Sequence, residues 1–145
     1  MPFHILQIKT KFNRSEERSE IMNVGDSHQS VDAMNEWITL NVGGQIFMTS
    51  RSTLVLREPS CMLSRMFSGS EEGMMPSIRD NTGAFLIDRS PKYFDPILNY
   101  LRTGNLIIDP SISPEGVLEE ARYYGIDSII PRLESMSRTS ILPRE

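Results

Sequence analysis

The sequence predicts an α+β fold, in which a short mixed sheet packs with several short helices. Three observations point to this class. Short β-rich runs and helical runs are interspersed along the chain without a regular strand–helix–strand rhythm. Glycine, proline and serine stand at the ends of most of these runs, where turns and helix caps need them. The chain has 145 residues, 39% of them hydrophobic, which is enough for one domain with its own core.

The composition divides the chain into three parts. Residues 1–35 are mostly polar, carry mixed charges and have weak periodicity, so we expect a flexible N-terminal arm. Residues 36–134 form one dense block without an internal repeat, and we expect this block to be the folded domain. Residues 135–145 have a composition like that of the arm, so we expect a flexible C-terminal tail.

The block opens with a predicted β-hairpin. In the run WITLNV, Ile38, Leu40 and Val42 alternate with their neighbours, which is typical of a strand with one buried face. Gly43 and Gly44 follow, and after them comes the β-rich run QIFMT. A glycine pair can also cradle a phosphate, but a phosphate loop needs a helix directly after it, with Lys before Ser or Thr. The β-rich run in that place favours a two-residue hairpin turn instead.

Two short helices are expected after the hairpin. Ser52 is a candidate cap for the first helix, and Pro59 suits the first turn of the second. The second helix is expected to end at Gly69. Its predicted apolar face consists of Met62, Leu63 and Met66, with Phe67 at its edge.

A loop then closes in a turn at Asn81–Gly83, and a main helix lies between two further strands. The run AFLID is short and continuously apolar, so it is expected to form a buried strand. The run NLIID is expected to form another short strand. Pro96 cannot lie deep inside a helix, so the main helix is expected to begin near it and to end at Gly104.

Two helices complete the block. The run SPEGVLEEARYYG has a cap and a proline at its start and Gly125 at its end, which is typical of a complete helix. Asp127 is a candidate cap for the last helix, in the run IDSIIPRLES. The prediction is therefore about four strands and five short helices.

The residues that could carry chemistry are not arranged for catalysis. His4 and His28 both lie in the expected arm, and Cys61 has no histidine in the block to activate it. Cys61 also lies beside Met62 in an expected apolar helix, so we expect it to be buried as a small hydrophobic residue. No pair of cysteines or histidines has the spacing of a zinc site. We therefore expect a protein that is not an enzyme, with no metal and no cofactor.

The charges also exclude classes of partner. A net charge of −4 without a long basic run argues against nucleic acid and against an anionic membrane surface. No apolar run approaches the roughly 20 residues that cross a bilayer, so no membrane insertion is expected. The pair Glu119–Glu120 is most simply solvated surface. A single cysteine suits a reducing interior, which predicts a cytoplasmic protein, with a nuclear pool also open.

One aromatic residue points to an interface. On the helix after Ser113, the residues Val117, Leu118, Ala121 and Tyr124 fall on one face, and Tyr123 falls on nearly the opposite side. An outward aromatic ring is typical of interfaces, because it is costly to leave in water. The alternative is a ring that lies flat on its neighbours, and the sequence alone leaves both open.

Several unusual stretches together resemble a known family. These are LNVGGQIFMTSRSTL, REPSCMLSRMFSG, GAFLIDRSPKYFDPILNYLRTGNLII and GVLEEARYYGIDSII, which cover about residues 36–134. In this order they resemble the T1-type BTB/POZ domain of the potassium-channel-tetramerisation-domain (KCTD) proteins. The likeness is greatest to the member that carries pentapeptide repeats after this domain, and such repeats are absent from the sequence.

The resemblance implies a compact BTB/POZ fold that assembles into a closed ring of identical copies. A pentamer is expected first and a tetramer second, and assembly should need no metal because the His and Cys cluster of some related channel domains is missing. It also implies service as an adaptor that joins cullin-3 to a substrate protein, here unknown. The alternative is an assembly-only domain that joins longer relatives, or regulates a channel or receptor, without recruiting a ligase.

Four residues are candidates for these contacts, one from the resemblance and three from their positions in the sequence. The resemblance places Tyr123 in the region that meets cullin-3. Arg51, Asp88 and Arg89 are charged residues beside the ends of expected strands, so they are candidates for polar contacts between copies. Pairing of these charges within one chain remains equally open.

Overall fold

A computed structural model describes residues 32–69 and 77–141 of the chain. The chain divides into two units after Glu36, and a single helical turn at 32–34 lies in the first unit. Residues 1–31, which make up most of the expected arm and include both histidines, lie outside the described residues.

A three-stranded mixed sheet forms the centre of the second unit. Strand β1 (Trp37–Val42) pairs antiparallel with β2 (Gln45–Ser50) and parallel with β3 (Phe85–Ile87), so the order is β2-β1-β3. The alternation expected for β1 is confirmed. The inner face of the sheet is buried, and the outer face exposes large apolar side chains, namely Trp37, Ile46, Met48 and Leu86.

The glycine pair forms the hairpin turn that the sequence predicts. Gly43 and Gly44 have φ of +56° and +96°, values that favour glycine. The amide of Gly43 donates to the carbonyl of Ile87 at 2.9 Å, which ties the turn to β3. A Cβ at Gly43 would overlap the carbonyl oxygen of Arg89, whereas a Cβ at Gly44 would meet nothing within 4 Å. Two strands enter and leave this turn directly, so it does not have the form of a phosphate loop.

Two short helices follow the hairpin, and their caps differ from those expected. Helix α1 (Arg51–Leu56) is capped by Ser50 and not by Ser52, because the Ser50 hydroxyl accepts the amide of Thr53 at 3.3 Å. Helix α2 (Met62–Phe67) is capped by Cys61, whose Sγ accepts the amide of Ser64 at 3.3 Å. Pro59 therefore lies in the turn before α2 and not in its first turn.

The main helix starts earlier than the sequence suggests. Helix α3 (Pro91–Thr103) contains Pro96 in its second turn, so the prediction that it begins near Pro96 was wrong. A proline in this position cannot donate a hydrogen bond to the carbonyl of Lys92, an exposed residue, and its ring crowds that carbonyl. Burial of Pro96 with Phe94 and its other neighbours offsets that loss. The expected stop at Gly104, with φ +81°, is confirmed.

The helix after Ser113 matches its prediction at both ends, whereas the last helix differs from its prediction at both ends, and Asp127 does not cap it. Helix α4 (Pro114–Tyr124) begins and ends as expected. A 3₁₀ turn (Asp127–Ile129) leads into helix α5 (Ile130–Ile141). This helix passes through the expected boundary at residue 134, because Leu133 and Ser137, one turn apart, are both buried. Residues 135–141 are thus helical where we expected a flexible tail.

The expected fourth strand is not formed. Residues 105–109, the run NLIID, have no ladder partner in the described part of the chain. The run alternates in burial like a strand, with Leu106 buried and Ile107 exposed. Alternation alone therefore does not make a strand, because a strand also needs an unpaired neighbour to receive its hydrogen bonds.

The core lies between the inner face of the sheet and the helices. Phe94 joins β2 to α4, because its ring centroid lies 5.1 Å from that of Phe47 and 5.1 Å from that of Tyr124. Within the described ranges, no helix combines the length and apolarity that crossing a bilayer requires.

Candidate docking surface

A shallow apolar hollow lies beside β3. Its volume is 330 Å³, and it is called the β3 hollow below. Strand β3 turns Leu86 outward, and the Leu86 amide donates to the carbonyl of Ile78 at 2.9 Å, which brings that residue alongside. Helix α2 supplies two methionines, whose flexible side chains adapt to different partners. The lining residues are Met62, Met66, Ser77, Ile78, Leu86, Ile87, Asp88 and Tyr123.

Tyr123 stands at the rim of this hollow. Its side chain is 46% exposed, whereas Val117, Ala121 and Tyr124 on the same helix are fully buried. The outward direction predicted for Tyr123 is therefore confirmed. The ring also rests on neighbours: it meets Tyr124 edge-on at 5.0 Å, and the Arg89 guanidinium lies 4.1 Å from its centroid. Tyr123 is therefore an exposed aromatic whose ring is supported by its neighbours, and its role in an interface stays a prediction.

A partly buried ion pair holds Arg89 against that ring. The Nε and Nη2 atoms of Arg89 each donate to a carboxylate oxygen of Glu120 at 3.0 Å, a bidentate pair. These hydrogen bonds raise the pKa of Arg89 above its ordinary value. Glu120 is only 4% exposed, so the expectation that Glu119–Glu120 is solvated surface was wrong for the second residue. Glu120 lies three residues after Val117 and four before Tyr124, which places it beside the buried face of α4.

The three charged candidates do different things. Asp88 is exposed and lines the β3 hollow together with Tyr123. Arg89 makes the intrachain pair, which was the alternative considered for it. Arg51 lies elsewhere, where its Nη1 donates to the carbonyl of Phe67 at 2.5 Å and so joins the start of α1 to the end of α2. A contact between copies stays a prediction for all three.

Sequence reasoning missed much of the hollow. The methionines of α2 were assigned to a buried face, and Leu86 to a fully buried strand. Met62 is in fact half-buried and Leu86 is exposed. The signal that could have found Leu86 is the short length of its run, because a strand of three residues in a small sheet has one residue facing outward.

The remaining reactive groups are built into the core. Cys61 is fully buried, and burial raises the pKa of its thiol, which leaves it a poor nucleophile. The Tyr124 hydroxyl is buried without a hydrogen-bond partner in the described residues, and burial raises its pKa. Across the described ranges, no three acidic, histidine or cysteine side chains gather as a metal would require.

Comparison with known proteins identifies the fold. The family model for the BTB/POZ domain matches residues 38–133. Mouse BTB/POZ domain-containing protein KCTD9 is 54% identical over 110 residues, which is 76% of this chain and 32% of that protein. Human KCTD17 is 48% identical over 106 residues, 73% of this chain and 32% of that protein. Rat KCTD5 is 43% identical over 125 residues, 83% of this chain and 52% of that protein.

These relatives are longer than the part that matches. The chain spans about a third of the length of KCTD9 and KCTD17 and about half of KCTD5. The match therefore covers the domain that contains the β3 hollow. The likeness to the member with pentapeptide repeats stays a prediction, since the matched segments do not test it.

Proposed function

We propose a function from one premise: this chain belongs to the BTB/POZ domain family, within its KCTD group. That family consists of protein-interaction domains. The proposed function is that of an adaptor, which assembles with itself and joins a cullin-3 ubiquitin ligase to a substrate protein not yet identified. It needs no cofactor and catalyses no reaction itself. We place it in the cytoplasm, with a nuclear pool also open.

One observation carries the cullin-3 proposal: Tyr123 is a supported aromatic at the rim of an apolar hollow. Interface hot spots are enriched in aromatics that sit in well-packed surroundings. The Arg89–Glu120 pair holds the Arg89 guanidinium against the Tyr123 ring. The Tyr123 side chain therefore has little conformational freedom left to lose on binding. The methionines and Leu86 would then receive an apolar side chain of cullin-3.

The outer face of the sheet supports self-assembly. Trp37, Ile46 and Met48 are each more than half exposed on adjacent strands, an arrangement that a second copy would cover. A head-to-tail contact between copies must close into a ring or extend into a filament. We favour a closed pentamer, with a tetramer second, and Arg51, Asp88 and Arg89 remain the candidates for polar contacts between copies.

Affinity for cullin-3 tests the proposed role of Tyr123. Tyr123→Ala should weaken binding about thirtyfold, because an aromatic anchor commonly contributes about 2 kcal/mol. Loss of its contacts with Arg89 and Tyr124 should lower the free energy of unfolding by only about 1 kcal/mol. Calorimetric titration with the cullin-3 N-terminal domain, together with thermal melting, measures both.

Ile107→Ala is the matched control. Ile107 is 74% exposed but lies away from the hollow lining, so its replacement should leave the affinity unchanged. Equal binding by the parent and Tyr123→Ala would remove Tyr123 from the contact. Absence of any binding by the parent would favour the alternative function, an assembly-only domain that joins longer relatives or regulates a channel or receptor.

A further inference from the structure

A second depression lies near the opposite edge of the sheet. It is formed by α1 and the end of α3, has a volume of 490 Å³, and is called the basic groove below. The groove adjoins β2, whereas the β3 hollow adjoins β3, and these strands are the two edges of the sheet. Its lining residues are Ser52, Thr53, Leu56, Arg57, Leu101 and Arg102.

Arg57 is held in place by the backbone of α3. Its Nε donates to the carbonyl of Leu101 at 3.1 Å. The guanidinium then lies against Gly104, where an added Cβ would come within 2.6 Å of Nη1. The glycine that ends α3 therefore also leaves the space that this guanidinium occupies.

Arg102 is held in a similar way by β2. Its Nη2 donates to the carbonyl of Met48 at 2.8 Å, and its Nη1 donates to Oδ1 of Asn99 at 3.0 Å. A guanidinium has five N–H donors in a fixed plane, so both arginines keep donors that these bonds do not use.

Neither guanidinium is neutralised by a carboxylate of the described residues. Arg89 and Arg122 pair with glutamates, but Arg57 and Arg102 make no such ion pair. The neighbouring carboxylate, that of Glu58, accepts hydrogen bonds from Tyr100 and Ser128 instead. Among the arginines that the structure describes, Arg65, Arg79 and Arg138 also make no ion pair with a carboxylate. Arg57 and Arg102 differ from them because they line one depression and are both fixed by backbone carbonyls.

We infer that the basic groove binds an acidic segment of a partner protein. Two fixed guanidiniums match carboxylate oxygens in charge and in geometry. Leu56, which is 62% exposed, and Leu101 offer apolar contact beside them, and the hydroxyls of Ser52 and Thr53 add polar contacts. The occupant that fits is a peptide in which acidic and apolar side chains alternate. This inference is independent of cullin-3, because the groove shares no lining residue with the β3 hollow.

Fluorescence anisotropy with the full chain tests the inference. The probe is a short fluorescein-labelled peptide in which glutamates and leucines alternate. Arg57→Gln and Arg102→Gln should each weaken binding about tenfold, since a hydrogen bond to a charged group contributes enough binding free energy to change the affinity by about that factor. Arg138→Gln, an exposed change on α5, should have no effect. The same peptide with glutamine in place of glutamate should not bind, and added salt should weaken binding.

Two further variants separate geometry from charge. Gly104→Ala keeps both charges but displaces the Arg57 guanidinium, so it should weaken binding as Arg57→Gln does. Arg57→Lys covers the case in which Gly104→Ala does not fold. Because a lysine keeps the charge without the planar fork, it should retain only part of the affinity.

Four results would overturn the inference. The first is no binding of the glutamate peptide, and the second is equal weakening by Arg138→Gln, which would mean attraction to the surface in general. The third is binding of a phosphoserine peptide without binding of the glutamate peptide. The fourth is a change of assembly mass in Arg57→Gln or Arg102→Gln by light scattering, which would make the groove a contact between copies.

Discussion

At the scale of single residues, Tyr124 separates the contribution of a ring from that of its hydroxyl. The ring is fully buried against Phe94, while the hydroxyl has no hydrogen-bond partner among the described residues. We expect Tyr124→Phe to leave the free energy of unfolding unchanged or to raise it, because an unsatisfied buried group is removed. Tyr124→Ala should lower it by about 3 kcal/mol, since an aromatic is lost from the core.

Urea unfolding of both variants measures this difference. Tyr123→Ala is the matched control, because its ring is exposed and adjacent in sequence. If Tyr124→Phe were as damaging as Tyr124→Ala, the hydroxyl would have to make a stabilising contact after all.

The Asp80 carboxylate predicts how stability responds to acid. It accepts hydrogen bonds from the amide and hydroxyl of Thr82, at 2.8 Å and 2.6 Å, and from the amide of Ala84 at 3.1 Å. The hydrogen bond from the Thr82 hydroxyl contributes most to lowering the pKa of Asp80 below its ordinary value of 3.8, and the bond from the Thr82 amide adds to this effect. The stability that Asp80 contributes is therefore fully present above that value and is lost as pH falls through the lowered pKa.

Thermal melting between neutral pH and about pH 2 checks this expectation. Asp80→Asn should make the melting temperature fall less steeply below pH 3.8 than that of the parent. Asp95→Asn, an exposed change on α3, should keep the steep fall. Identical acid profiles for all three proteins would remove Asp80 as a source of the dependence.

Residue types were easier to predict than residue partners. The burial of Val117, Ala121 and Tyr124 followed from a period of 3.6 residues, which is a local property of the chain. The pairing of Arg89 with Glu120 could not be predicted in this way, because the two residues lie 31 positions apart and meet only when β3 and α4 pack. A carboxylate on a buried helix face does require a partner, but the sequence does not name it.

At the scale of elements, the hairpin turn offers a comparison within one dipeptide. Gly43→Ala should lower the free energy of unfolding by more than about 2 kcal/mol for two reasons. The added Cβ would overlap the carbonyl oxygen of Arg89, and alanine would have to adopt a positive φ. Gly44→Ala should cost less, about 1 kcal/mol, since its Cβ would meet no neighbouring atom and only the positive φ would oppose the change. Chemical unfolding of the two variants provides the measurement. Equal losses would mean that the turn can move away from β3 without penalty.

Elements bounded by local chemistry were predicted well, and those bounded by tertiary packing were not. Gly104 and Gly125 end their helices as expected, because a left-handed residue stops a helix by itself. The start of α3 at Pro91 was missed, since burial of Pro96 outweighs the intrinsic cost of proline in a helix. The run NLIID failed as a strand for the same kind of reason, because strand formation depends on a neighbour that the sequence does not specify.

At the scale of the whole molecule, the exposed sheet face predicts assembly. We expect multi-angle light scattering to give the mass of five copies, with four as the second expectation, and a chelator to leave that mass unchanged. Met48→Lys should reduce the mass toward one copy, because a charge would be buried in the contact. Ile107→Lys is the control on a different exposed surface. A single-copy mass for the parent at micromolar concentration would contradict the assembly proposal.

The α+β class and the family could be recognised from the sequence, because several stretches match together in a fixed order. The two candidate binding surfaces could not be predicted from the sequence. The β3 hollow and the basic groove are each assembled from elements far apart in the chain, so their chemistry exists only after folding.

Trp37 is the single tryptophan of the chain, and it is 68% exposed on the outer face of the sheet. Its indole is therefore solvated in an isolated copy, and its emission should lie close to that of the unfolded chain. A blue shift on raising the concentration would then report contact between copies rather than folding. The two processes become spectroscopically separable, because circular dichroism follows the helices and this one fluorophore follows the neighbour that covers it.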